Sequence, residues 1–83
     1  PNPFNTTTAI QYSLAQEGPI ELTIFDLLGQ RVRRLISGNH VAGSHQAIWD
    51  GCGDNGISVA SGVYFYRLRL SDGGITRRML LLR

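Results

Sequence analysis

The chain has 83 residues, eight arginines against six acids, no lysine and a formal net charge of +2. That length fits one domain, 1–83, with a thin core burying roughly 60–65% of the unfolded surface and little room for an enclosed substrate pocket. The charge surplus falls short of the dense basic stripe of a nucleic-acid binder, no stretch approaches the ~20 apolar residues of a membrane span, and Cys52, the single cysteine, permits no internal disulfide.

Pro1 stands where a methionine would, and no basic-then-apolar leader follows. The expectation is a module carried in a longer protein, with any export signal upstream. The first periodic segment is Ala9 to Leu14, with Ile10, Tyr12 and Leu14 on one face. Ile20 to Phe25 repeats the period of two with Ile20, Leu22 and Ile24. Gly18 and Pro19 in the intervening Gln16–Pro19 are turn formers, so the two segments are predicted to pair through a tight hairpin-like turn.

Asp26 to Gln30 interrupts the alternation. Asp26 can bond its own backbone and Gly29 can take positive φ, which suits a short bulged turn before a strand at Arg31 to Ile36. Leu28, Val32, Leu35 and Ile36 also have a helical spacing, which Gly29 and the β-branched neighbours oppose. Ser37–His40 and Ala42–Ser44 bracket the next connection, and His45 to Trp49 is a further strand. Trp49 is the expected core anchor, since a buried aromatic removes roughly 150–250 Å² from water.

Asp50 to Gly56 holds three glycines and three Asx residues. Asp50 and Asp54 are weak candidates for a calcium site; the loop lacks the alternating acidic spacing of an EF-hand, and ordinary turn chemistry explains it better. Gly62 opens the longest strand, Val63 to Leu70. Tyr64, Tyr66, Leu68 and Leu70 share one face; Val63, Phe65, Arg67 and Arg69 share another that starts covered and ends in solvent. Ser71–Gly74, with its Asp-Gly step, reads as a hairpin turn. It returns the chain into a last strand, Ile75 to Arg83, an apolar run framed by Arg77, Arg78 and Arg83.

About seven strands with turn chemistry between them argue for an all-β fold, a small antiparallel β-sandwich of the immunoglobulin or fibronectin kind. Such modules bind, space or assemble. No catalytic set emerges: His40 and His45 lack a nucleophile elbow, and Asp50 and Asp54 share one loop instead of flanking a cleft. The sequence contains no cofactor motif.

Taken in order, Pro1–Asn5 with Thr8, Ile10, Tyr12 and Leu14, Phe25–Gln30, Ala42–His45, Trp49–Gly51, Ala60–Leu68 and Arg77–Arg83 resemble the type A C-terminal sorting domain of type IX secretion cargo. Thr6, where that family often has proline, and Cys52, at a commonly polar or basic position, depart from the pattern. The resemblance implies a non-catalytic immunoglobulin-like address label on a secreted bacterial protein, bound for the cell surface through the periplasm. Its partners would be secretion-machinery proteins of the outer membrane, a sortase-like protease where the label is removed, and the upstream cargo of the same chain. By position, Gly62, Tyr64 and Arg67 and the terminal Arg77, Arg78, Met79, Leu80, Leu81, Leu82 and Arg83 match its sorting motifs. Trp49 to Tyr66 is also similar to the immunoglobulin-like domain of the flagellar hook-capping protein, which implies a structural part of an assembly. A carbohydrate-binding accessory module is a third reading; it would need an exposed aromatic platform, whereas Tyr64, Phe65 and Tyr66 read as packing residues.

Overall fold

Alternation of apolar and polar side chains puts every regular segment into strands. The computed structural model describes residues 7–83, so the opening Pro1–Asn5 motif and Thr6 lie outside the described residues. The elements are β1 (Thr8–Leu14), β2 (Gly18–Phe25), β3 (Arg31–His40), β4 (Gly43–Trp49), β5 (Gly62–Leu70) and β6 (Gly73–Leu81). They form two antiparallel sheets, β1-β4 and β3-β2-β5-β6. The described strands number six, against an expected seven or so.

Apolar side chains at period two from both sheets face each other and make the core. Ile10, Tyr12 and Leu14 of β1 and Ala47 and Trp49 of β4 meet Ile20, Leu22 and Ile24 of β2, Tyr64 and Leu68 of β5, and Leu81 of β6. Trp49 is 0% exposed. Its indole N–H donates to the Cys52 carbonyl at 2.9 Å, which satisfies the one polar group it takes out of water.

Two sequence expectations are corrected. The first is the pairing of the opening strands: β1 lies against β4, with Ile10 opposite Ala47, while β2 lies between β3 and β5. The Gln16–Pro19 segment therefore carries the chain from one sheet to the other, because two strands apolar on one face can bury those faces against each other as readily as they can pair edge to edge. The second is the end of the third strand, where Ser37–His40 continues β3 against Gly18–Glu21 instead of forming a connection.

β3 departs from simple alternation. Its register against β2 shifts between Leu22 and Thr23 and again between Ile24 and Phe25, so Leu35 and Val32 are inserted residues on β3. These bulges let Val32, Leu35 and Ile36 all pack against the core although they do not share one parity.

The β2–β3 turn forms as its residues dictate. One Asp26 carboxylate oxygen accepts from the Leu28 and Gln30 amides at 2.9 and 3.0 Å, and Gly29 sits at φ 80°. At the other hairpin, Leu70 pairs with Gly73 and leaves Ser71-Asp72 as the tip.

Candidate interaction surface

The sequence directs attention to the terminal segment, and the structure divides its residues by parity. On β6, Ile75, Met79 and Leu81 stand opposite Leu68, Tyr64 and Gly62 and face inward; Thr76, Arg78 and Leu80 stand opposite Arg67, Phe65 and Val63 and face outward. Leu81 is fully buried, whereas Leu80 is 55% exposed and Leu82 62%. Arg77, on the inward parity, lines a groove between the two sheets with Tyr12, His45, Tyr66, Leu68 and Ile75. The groove exists because a two-stranded sheet cannot cover the full width of a four-stranded one.

Gly62, Tyr64 and Arg67 are structural neighbours of that strand. Gly62 begins β5 opposite Leu81. Tyr64 is buried, with its ring edge-on to Trp49 and its hydroxyl donating to the Ala60 carbonyl at 2.6 Å. A tyrosine at the start of a strand bonded to the backbone just upstream is a corner device of immunoglobulin-like sandwiches. Arg67 lies over the Phe25 ring at 4.7 Å, an arrangement in which the guanidinium meets the negative face of the ring.

Arg83 folds back on the body of the domain. Its amide donates to Ser61 Oγ at 2.9 Å, its Nε to the Val59 carbonyl at 2.6 Å, and its Nη2 to the Gly51 carbonyl. It pins the long β4–β5 connection to the terminal strand.

Of the terminal residues the sequence singles out, Arg77, Arg78, Leu80 and Leu82 are thus exposed at or beside the sheet edge. Leu81 and Tyr64 are core, Met79 is half-buried against it, and Arg83 is a clamp.

The Asp50 to Gly56 loop is held by its own carboxylates. Asp50 Oδ1 accepts from the Cys52 amide and from Arg33, and Asp54 accepts from the Arg34 amide at 2.9 Å and pairs with Arg31 at 3.1 Å. Among the described residues no three His, Cys, Asp or Glu side chains are grouped to hold a metal ion. The loop is a braced turn whose lone pairs are directed at arginines and amides.

The outer face of the larger sheet holds a feature that the sequence did not reveal. Phe25 stands opposite Phe65, and Thr23 opposite Arg67. Thr23 Oγ1 and Arg67 Nε are buried without a hydrogen-bond partner among the described residues. Leu27, 68% exposed, borders this face. Period two within β5 shows Phe65 facing out, but only the β2–β5 pairing places Phe25 beside it.

Two antiparallel sheets packed face to face around a buried tryptophan, with a tyrosine corner and crossing connections, define a small immunoglobulin-like β-sandwich. The chain belongs to the FlgD Ig-like domain family, whose model matches residues 4–74. Among solved structures it is similar to FLGD from P. aeruginosa, with 27% identity and a TM-score of 0.71 over 90% of this chain. The alignment spans 59% of that protein's chain. No curated protein matches.

Proposed function

We propose that this chain is a non-catalytic structural module of the flagellar hook-capping type, carried within a longer bacterial protein that assembles outside the cytoplasm. The supporting observation is the family match across residues 4–74, which takes in β1 to β5 and both sheets. What such a module offers is a stiff scaffold with exposed edges and faces, because its polar turn groups are spent on internal braces. The test is replacement of the immunoglobulin-like domain of a hook-capping protein by residues 1–83. Restored hooks and motility are expected; a stable, folded chimera that leaves hooks unassembled overturns the reading.

A second reading, type IX sorting, is favoured by one observation: Arg77 to Arg83 lies beyond the matched stretch and includes the exposed Arg78, Leu80 and Leu82. A reporter fused to residues 1–83 in a type IX-competent host separates the two. Surface delivery, lost in a still-folded Arg77→Ser/Arg78→Ser variant, supports sorting through secretion-machinery partners; retention of the parent fusion removes it.

A further inference from the structure

We propose that the outer edge of β6 receives an extended strand from another protein, added antiparallel, with two adjacent carboxylates opposite Arg77 and Arg78 and two apolar residues opposite Met79 and Leu80. The inference deepens the reading of the chain as an assembly module and names the chemistry of its partner.

β6 ends the order β3-β2-β5-β6, and among the described residues its other edge pairs with no strand. Its nine residues pair with Gly62–Leu70 without a register shift, so the exposed edge is long and regular. An edge of this kind presents a row of backbone donors and acceptors, and strand addition uses them for affinity while the flanking side chains give selectivity.

The charge at that edge is unmatched. Residues 73–83 contain three arginines and no acid. Elsewhere Glu21, Asp50 and Asp54 each pair with an arginine, Asp26 accepts from two backbone amides and Glu17 from Asn39. Asp72 remains, at the hairpin tip. Arg77 and Arg78 make no ion pair with any described residue, and they point to opposite faces of the sheet. A strand laid beside them meets both only with acids at consecutive positions, one per face. The next two residues, Met79 and Leu80, likewise point to opposite faces, and apolar neighbours suit them.

A second copy of this chain is a poor occupant. Nowhere in the 83 residues are two acids adjacent, and β6 paired antiparallel with itself about its middle would set arginine against arginine, which is unfavourable. The antiparallel sense follows the sheet, all of whose pairings are antiparallel.

The test titrates the 83-residue chain with the synthetic peptide Thr-Val-Val-Glu-Glu-Thr-Val-Thr and a version with both glutamates replaced by lysine, followed by amide NMR shifts, interstrand contacts and hydrogen exchange. The first peptide is expected to shift and protect β6 amides, with β3 amides unchanged, and to bind about tenfold tighter than the lysine version. Added salt should weaken it. Arg77→Glu/Arg78→Glu is expected to invert the preference between the glutamate and lysine peptides, and Arg78→Glu alone, fully on the outer face, to reduce it if the double variant melts early. Shifts centred on β3 or a sandwich face overturn the proposal, as do unprotected β6 amides at saturation, equal binding of the lysine peptide, or interstrand contacts between peptide and β6 in the parallel sense. The chimera experiment is independent: motility can fail while the peptide binds, and the peptide can fail while the module assembles.

Discussion

Tyr64 meets Trp49 edge-on, ring centroids 5.3 Å apart and planes at 71°, and so joins β5 of the larger sheet to β4 of the smaller one. The contact is the sandwich in miniature: one aromatic from each sheet, each with its polar atom bonded to a nearby carbonyl. Trp49→Ala should therefore cost on the order of 3–5 kcal/mol. That is a large share of the roughly 5–15 kcal/mol typical of a small domain. Tyr64→Phe, which keeps the ring and loses only the bond to Ala60, should cost about 1 kcal/mol. Urea unfolding of the two variants checks the ratio; equal losses would mean that the hydroxyl, and not the packing, holds the corner.

Gly74 is required by close approach. A Cβ added there would lie 2.8 Å from the Leu68 carbonyl oxygen, a backbone atom that cannot swing aside. Gly74→Ala should destabilise by about 1–3 kcal/mol, and amides of the β5–β6 hairpin should exchange faster with solvent. An unchanged melting temperature would refute this.

Removing the Arg83 side chain should loosen the β4–β5 connection. Arg83→Ala loses the bonds to Val59 and Gly51, at a cost of about 1 kcal/mol in global stability. The sharper signal is local: the Val59 amide, bonded to the Gly51 carbonyl at 2.9 Å, should lose protection from exchange before the core does.

Asp54 ties the same connection to β3, through the Arg34 amide and Arg31. Asp54→Ala should lower stability by about 1 kcal/mol, little of it from the exposed ion pair. Millimolar calcium should leave the melting temperature of the parent unchanged; a rise abolished in Asp54→Ala would reinstate the loop as a cation site.

Alkaline pH should unfold the domain partly through Tyr12. Burial raises its phenol above the ordinary value of 10.0, because the fold disfavours the anion. The folded state then holds its proton where the unfolded state has released it, so stability is complete below about pH 10 and falls as pH rises through and above that value. Tyr12→Phe should flatten this limb of the stability profile; a slope unchanged in that variant would assign it to other groups.

Much of the sandwich was legible because its signals are local. Ile10, Tyr12 and Leu14, or Tyr64 and Leu68, declare their faces by parity, and Asp26 with Gly29 declares a turn by the conformations those residues can adopt. Pairing was not legible. Nothing between Leu14 and Ile20 distinguishes a hairpin from a passage between sheets, since either buries the same side chains. The bulges at Val32 and Leu35 were hidden for a related reason: two extra residues make a strand look briefly helical in sequence, and only the fixed register of β2 resolves them. Of the terminal motif, the exposure of Arg78 and Leu80 followed from alternation, whereas the fold-back of Arg83 depends on carbonyls more than twenty residues away in the chain.

The irregularity of β3 gives the larger sheet two unlike ends. A strand kinked twice presents a broken ladder to any newcomer, while β6 at the far side is straight and continuous. A sheet open to addition at both ends could take a strand at each. If a guest strand joins at β6 as proposed, the two inserted residues of β3 leave the opposite end a poor template for another, so the extended sheet would stop at one added strand.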